Sequence, residues 1–251
     1  MKKRKQSGFT LVELMIAIAV IAIIAGIALP GFLSSRMSAN ESAAISTLKS
    51  IASAQAQVQV TNAIDTDGDG AGEFGYLGEL SGLVPARVSV GGAPAVGTPG
   101  IDELDPTIVS AGLGNVQPDA LGNGVVTRSG YVFKLFLPGT PVGGVIPGVP
   151  EAGTGGGEAG TLPDPNTSEL LWSCYAWPVD ASRTGSRVFF LNQESELLFF
   201  SNNDTSYTGL VTPGTIPSYD AAYVAGAGGM GSNLAQGGAV SNDGNMWVQV
   251  Q

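Results

Sequence analysis

The sequence predicts an α+β protein: a long N-terminal helix, with a membrane-spanning first half and an amphipathic second half, packed on an antiparallel β-sheet head. Three observations carry this expectation. The run Phe9–Leu29 is apolar except for Thr10 and Glu13. In residues 33–60, Ala44, Ile45, Leu48, Ile51, Ala52 and Val58 recur at three- and four-residue steps, which makes one apolar helical stripe. Further on, four short runs rich in aromatic and branched residues are bounded by Gly, Pro, Asn or Ser, as strands are.

The first run is long enough to span a bilayer. As a helix its 21 residues rise roughly 31 Å, about the thickness of the hydrocarbon core. Lys2, Lys3, Arg4 and Lys5 precede it, and basic flanks hold an N-terminus on the cytoplasmic side, so residues beyond 30 are expected outside. A secretory signal fits less well, because its apolar region is shorter and ends in small residues at a cleavage site. The helix is read from about Phe9 to about Val60, disturbed near Gly26–Gly31 because Pro30 removes a backbone donor.

A carboxylate near the start of such a run is expensive: an intramembrane acid costs on the order of 2.5–3.5 kcal/mol on insertion scales. Helical pitch places nothing basic within one turn of Glu13 on the exported side. A cut between Gly8 and Phe9 would create a partner, an α-ammonium four residues before Glu13 and largely charged at neutral pH. Pairing of the two groups between staggered helices relieves the burial cost of both and favours one stacking register.

Gly8-Phe9-Thr10-Leu11-Val12-Glu13-Leu14 resembles the class III leader junction of type IV pilins and type II secretion pseudopilins. The resemblance implies that a prepilin peptidase cuts after Gly8 and methylates Phe9, and that Glu13 is the assembly glutamate. Gly26 and Pro30 match positions where the family's helix bends. Residues 1–8 are then the leader, 9–60 the helix (9–29 transmembrane before assembly) and 61–251 a pilin-like head with Gly/Pro-rich loop insertions. The C-terminal disulfide pair of many pilins is missing, because Cys174 is the one cysteine.

In the head, the strand-like runs are Gly130–Leu137, Leu170–Trp177, Arg187–Asn192 and Leu197–Ser201, with a hairpin turn near Gln193–Glu196. Short connections favour an antiparallel meander. Met246–Val250 is expected to return as a last strand. Pro138–Ser168 holds nine glycines and six prolines without hydrophobic period, and is expected to be an exposed insertion. Residues 85–125 look similarly sparse.

Composition excludes several functions. A chain without histidine builds neither a Ser-His-Asp nor a Cys-His nucleophile pair, nor a His-ligated zinc site. A net charge of −10 argues against direct nucleic-acid binding, which needs clustered Lys and Arg. Cys174 is expected to be a buried apolar residue.

Asp65-Thr66-Asp67-Gly68-Asp69-Gly70-Ala71-Gly72-Glu73 follows the stem directly. Three alternating carboxylates and a bend at Gly70 match the first part of an EF-hand calcium loop, with the Ala71 carbonyl and Glu73 as further ligands. Oxygen-only donors suit Ca²⁺. The bidentate Glu expected at the twelfth position is Tyr76 instead. The competing reading is an Asp/Gly turn that ends the helix with solvated charge.

The resulting expectation is a non-enzymatic structural subunit of a type IV pilus-like extracellular filament. Its partners are further copies of itself in a helical homopolymer, the prepilin peptidase and the inner-membrane assembly machinery. The precursor resides in a bacterial inner membrane. The alternatives are a pseudopilin in a periplasmic type II secretion piston and a membrane-tethered, calcium-dependent binding domain.

Overall fold

The computed structural model describes residues 8–250; the basic cluster Lys2–Lys5 lies outside them. Helix α1 spans Leu11–Thr61 without interruption and stops at Asn62, whose left-handed backbone (φ 50°) returns its N–H to the Gln59 and Val58 carbonyls. Asn tolerates that conformation better than most residues. The helix runs through Gly26 and Pro30, in place of the disturbance expected there. Pro30 cannot donate to the carbonyl four residues earlier, which belongs to Gly26, so a single rung is lost.

The two halves of α1 have opposite surroundings. Apolar side chains from Phe9 to Leu33 are exposed along the isolated chain, and the segment is long and apolar enough to cross a membrane. From residue 40 the helix docks on the head. Asn40 Nδ2 donates to the Thr184 carbonyl (2.8 Å), and Glu41 accepts from the Ser186 N–H (2.9 Å). Ala44, Leu48, Ile51 and Val58 are then buried, as the stripe predicts, with Ile45 and Ala52 partly buried against the same cluster. Gln55 sits among them because its amide pairs with both backbone groups of Gly75 (2.7 and 3.0 Å). A buried amide without such partners would be strongly unfavourable.

The main sheet is antiparallel throughout. Its strands are β3 (Gln117–Pro118), β4 (Gly124–Arg128), β5 (Tyr131–Pro138), β6 (Gly148–Pro150), β7 (Ser173–Pro178), β8 (Arg187–Asn192), β9 (Leu197–Ser201) and β10 (Val248–Gln249). Their spatial order is β10-β9-β8-β7-β5-β4-β3, with β6 also paired to β5. A separate hairpin, β1 (Val88–Val90) and β2 (Ala93–Ala95), lies in the stretch read as sparse. Strands β8 and β9 have the expected bounds and pair across the predicted turn, with Leu191 opposite Leu197. The Met246–Val250 expectation holds as β10, which pairs Val248 with Phe199.

Two cores flank this sheet. On one face Phe133, Leu135, Cys174, Ala176, Phe189 and Leu191 meet the stem helix. On the other, Val132, Tyr175, Trp177, Phe190, Phe200 and Trp247 are covered by the C-terminal segment through Ala221, Ala222, Tyr223 and Met230. Burial on both faces explains why these strands read as continuous apolar runs rather than alternating ones. The Pro138–Ser168 insertion is less exposed than expected. It contributes β6 and the four-residue helix Pro165–Ser168, and it buries Glu151 and Ala152.

Candidate functional site

Two places in the chain carry the residues singled out by sequence. The first is the start of α1. Gly8 and Phe9 precede the helix in non-helical backbone, and Phe9 is exposed. Thr10 is the N-cap: its Oγ1 accepts from the Glu13 N–H (3.2 Å). Glu13 closes the loop, with Oε2 accepting from the Thr10 N–H (2.9 Å) and the Thr10 hydroxyl (2.8 Å). This reciprocal capping box satisfies helix-end donors that the bilayer could not. Both bonds fall on Oε2, and Oε1 of Glu13 carries no hydrogen bond among the described residues.

Glu13 therefore has a partner that charge-based reasoning overlooked. The signal was present in the sequence: Thr10 followed three residues later by Glu13, just before an apolar run, is the capping-box spacing. A neutral hydroxyl and one N–H lessen the cost of the carboxylate without neutralising it.

The second place is the acidic loop at the far end of α1. Carboxylate oxygens of Asp65, Asp67 and Asp69 lie within 4.8 Å of one another. The loop shapes itself around Asp65, whose Oδ1 accepts from the Gly68 N–H (2.7 Å) and Oδ2 from the Gly70 N–H (3.1 Å). Gly68 and Gly70 have φ of 80° and 92°, a conformation that disfavours any residue with a Cβ. Burial works to raise the Asp65 pKa, but the Gly68 and Gly70 N–H donors outweigh it, and the carboxyl lies below its ordinary value. Ala71 joins the loop through its N–H, which donates to Asp69 Oδ1 (2.8 Å).

Glu73 does not join this cluster, contrary to expectation. Its side chain is buried: Oε1 accepts from the Thr66 N–H (2.6 Å), and Oε2 pairs with Arg87 Nη1 (2.9 Å). A buried guanidinium attracts carboxylates more strongly than an exposed loop does, and Arg87 also holds Glu79 (3.1 Å). Nothing in the Asp/Gly spacing could announce an arginine fourteen positions later. The acid that instead feels the loop is Glu169. Its pKa is raised, first by burial and then by Asp69, Asp67, Glu73 and Asp65, and its Oε1 is buried with no hydrogen-bond partner. A cation at Asp65, Asp67 and Asp69 would thus draw on three loop carboxylates, with Glu169 the neighbouring acid.

A family model described as the prokaryotic N-terminal methylation motif matches residues 3–29. Over 85 residues the chain is 36% identical to the type IV major pilin protein PilA of Myxococcus xanthus, covering 34% of this chain and 38% of that relative. Over 59 residues it is 39% identical to the type IV wide pilus major component PilA4 of Thermus thermophilus, covering 24% and 45% respectively. The matches thus span less than half the length of these curated relatives. No solved structure matches the chain.

Proposed function

We propose that this chain is a structural subunit of a type IV pilus-like extracellular filament, assembled through its N-terminal helix after a prepilin peptidase cuts between Gly8 and Phe9. The observation that carries this reading is the arrangement at the start of α1. A non-helical Gly8–Phe9 junction leads into a capped helix whose exposed apolar segment, Leu11–Leu33, has one carboxylate, which keeps Oε1 open. Cleavage supplies an ammonium at Phe9. A neighbouring Glu13 accepts it through Oε1 while Oε2 stays in its cap. The apolar helices then leave lipid for one another, and head-to-tail contacts whose rotation does not close continue as a fibre.

The relatives named above are pilus components, which favours a pilus over a secretion pseudopilus. The test is Glu13→Ala. Processing continues and fibres disappear from sheared surface material under electron microscopy; normal fibres would overturn the mechanism. Terminal sequencing separates this reading from a membrane-tethered domain, since only the filament reading requires a mature chain starting at methylated Phe9.

A second proposal concerns the acidic loop. Three carboxylates converging within 4.8 Å repel one another unless a cation joins them, and hard oxygen donors suit Ca²⁺. We propose that Asp65, Asp67 and Asp69 take Ca²⁺, without Glu73.

A further inference from the structure

The exposed charges of the chain are sorted along the stem. Beyond residues 1–8 there are seven basic side chains against 21 acidic ones. Arg87 and Lys134 are buried in ion pairs, which leaves Arg36, Lys49, Arg128, Arg183 and Arg187 exposed. Arg36 and Lys49 are on the stem itself, and the other three sit at the end of the head nearest its apolar half. Arg183 precedes Thr184, whose carbonyl accepts from Asn40, and Arg187 Nε lies 3.7 Å from Glu41 Oε2. Arg128 lines a cleft of about 360 Å³ with Ala43, Ser46, Thr47, Ser50 and Ser129. A two-residue turn, Ser129 (φ 50°) and Gly130 (φ 77°), joins β4 to β5 and sets Arg128 beside the stem.

The far end of the head is acidic. Asp65, Asp67 and Asp69 follow α1 directly, Asp105 lines a cavity with Gln57, Thr61 and Ala63, and the Glu169 carbonyl accepts from Gln59 Nε2 (2.5 Å). No exposed lysine or arginine lies there among the described residues. The fifteen residues from Ser46 to Thr61 separate the two ends by about 22 Å, beyond two Debye lengths at physiological salt. Acids at the basic end are paired or remote. Asp180 and Glu41 answer Arg183 and Arg187, each at 3.7 Å, and Asp204 follows β9, four strands from β4 and so about 19 Å away. Arg128 forms no ion pair among the described residues, and no carboxylate lines its cleft. The Ser46 and Ser129 hydroxyls there donate to nothing among those residues. A guanidinium fork beside free hydroxyls matches a carboxylate.

We propose that the Arg128 cleft receives carboxylates from the acidic end of a second copy of this chain, an inference that rests on the filament reading above. Subunits of such net charge repel one another, so a fibre of them is favoured where the cations of one copy meet the acids of the next. Parallel copies shifted along the axis present opposite ends to each other, which is a head-to-tail contact. With Ca²⁺ on the three aspartates that end stays acidic, because Asp105 and Glu169 lie outside the loop. The test counts fibres in sheared surface material from cells assembling the full chain. Arg128→Glu is expected to lower the yield at least about tenfold, with subunit level and cleavage after Gly8 unchanged, and Arg128→Gln to lower it less. Asp69→Lys/Asp105→Lys alone lowers the yield too. Combined with Arg128→Glu it restores fibres, whereas Asp204→Lys, at the basic end, does not. Wild-type yield from Arg128→Glu overturns the proposal. So does failure of the acid reversal to restore fibres, the result expected if Arg128 meets anionic lipid instead. The Arg128 side chain is exposed and unpaired, so its variants fold; an unchanged unfolding midpoint verifies this. Absence of fibres from wild-type cells would instead overturn the filament reading, and this contact with it.

Discussion

Glu73 Oε2 lies 2.9 Å from Arg87 Nη1, and both side chains are sealed from water at 1% exposure. Arg87 holds Glu79 in the same way, so one guanidinium compensates two buried carboxylates. Removing one partner of such a cluster strands the others. Arg87→Met is expected to destabilise the head by about 3–5 kcal/mol, seen as a lowered midpoint in denaturant unfolding. A loss below about 1 kcal/mol would mean that the carboxylates find water or protons at little cost.

Glu151 is buried beside this cluster, with Oε1 accepting from the N–H groups of Gly78 (2.8 Å) and Gly156 (2.9 Å). Burial pushes its carboxyl up to about 7 from an ordinary value of 4.5, against those two N–H donors and with help from the charge on Glu79. Between these values the folded chain keeps a proton that the unfolded chain has released. Stability is therefore expected to fall as pH rises from about 4.5 through about 7, by up to roughly 3 kcal/mol. Thermal midpoints of wild type and Glu151→Gln across that range check it, since the variant should lose this part of the slope.

The capping box and the assembly role proposed for Glu13 are separable. Thr10→Ala removes the cap but keeps the carboxylate, at a cost of about 1 kcal/mol to the helix start. Fibres are expected from Thr10→Ala, in reduced amount, and none from Glu13→Ala. Quantified surface fibres that are equal in the two variants would show that capping alone explains the glutamate.

Calcium should raise the unfolding midpoint, by about 2.7 kcal/mol of stability at one hundred times its Kd, and chelation should reverse it. Asp67→Asn is expected to abolish the effect and Glu169→Gln to weaken it. A Ca²⁺ response that survives Asp67→Asn would place the cation elsewhere.

Leu48 is fully buried where α1 meets the sheet. Leu48→Ala is expected to cost about 2–5 kcal/mol. The same change at Ile27, which faces outward in the lipid-length half, should leave head unfolding unchanged.

What could be read from sequence depended on how much each signal was purely local. The stem stripe and strands β8 and β9 were legible because their periodicity or aromatic density survives without tertiary context. Strand β4 was missed because Val125-Val126-Thr127 sits among glycines and becomes a strand only by pairing Val126 with Phe133. Strand β6 was hidden likewise, as Gly148–Pro150 has no strand character until β5 lies beside it. Burial of Lys134 in β5 needed Asp119, which accepts its ammonium at 2.6 Å from a loop fifteen residues back. At the acidic loop the spacing correctly drew Asp65, Asp67 and Asp69 together. It misplaced Glu73, because the competing Arg87 is reached only through the fold.

Cys174 lies in β7 with its thiol fully enclosed, and burial pushes its pKa well up, away from the reactive thiolate. Since the chain has no second cysteine to join it to, the head matures without any oxidant, and reductants should leave its melting unchanged. The same sulfur becomes a built-in clock: alkylating reagents can label it only when the sheet opens, so its labelling rate reports how often the head breathes.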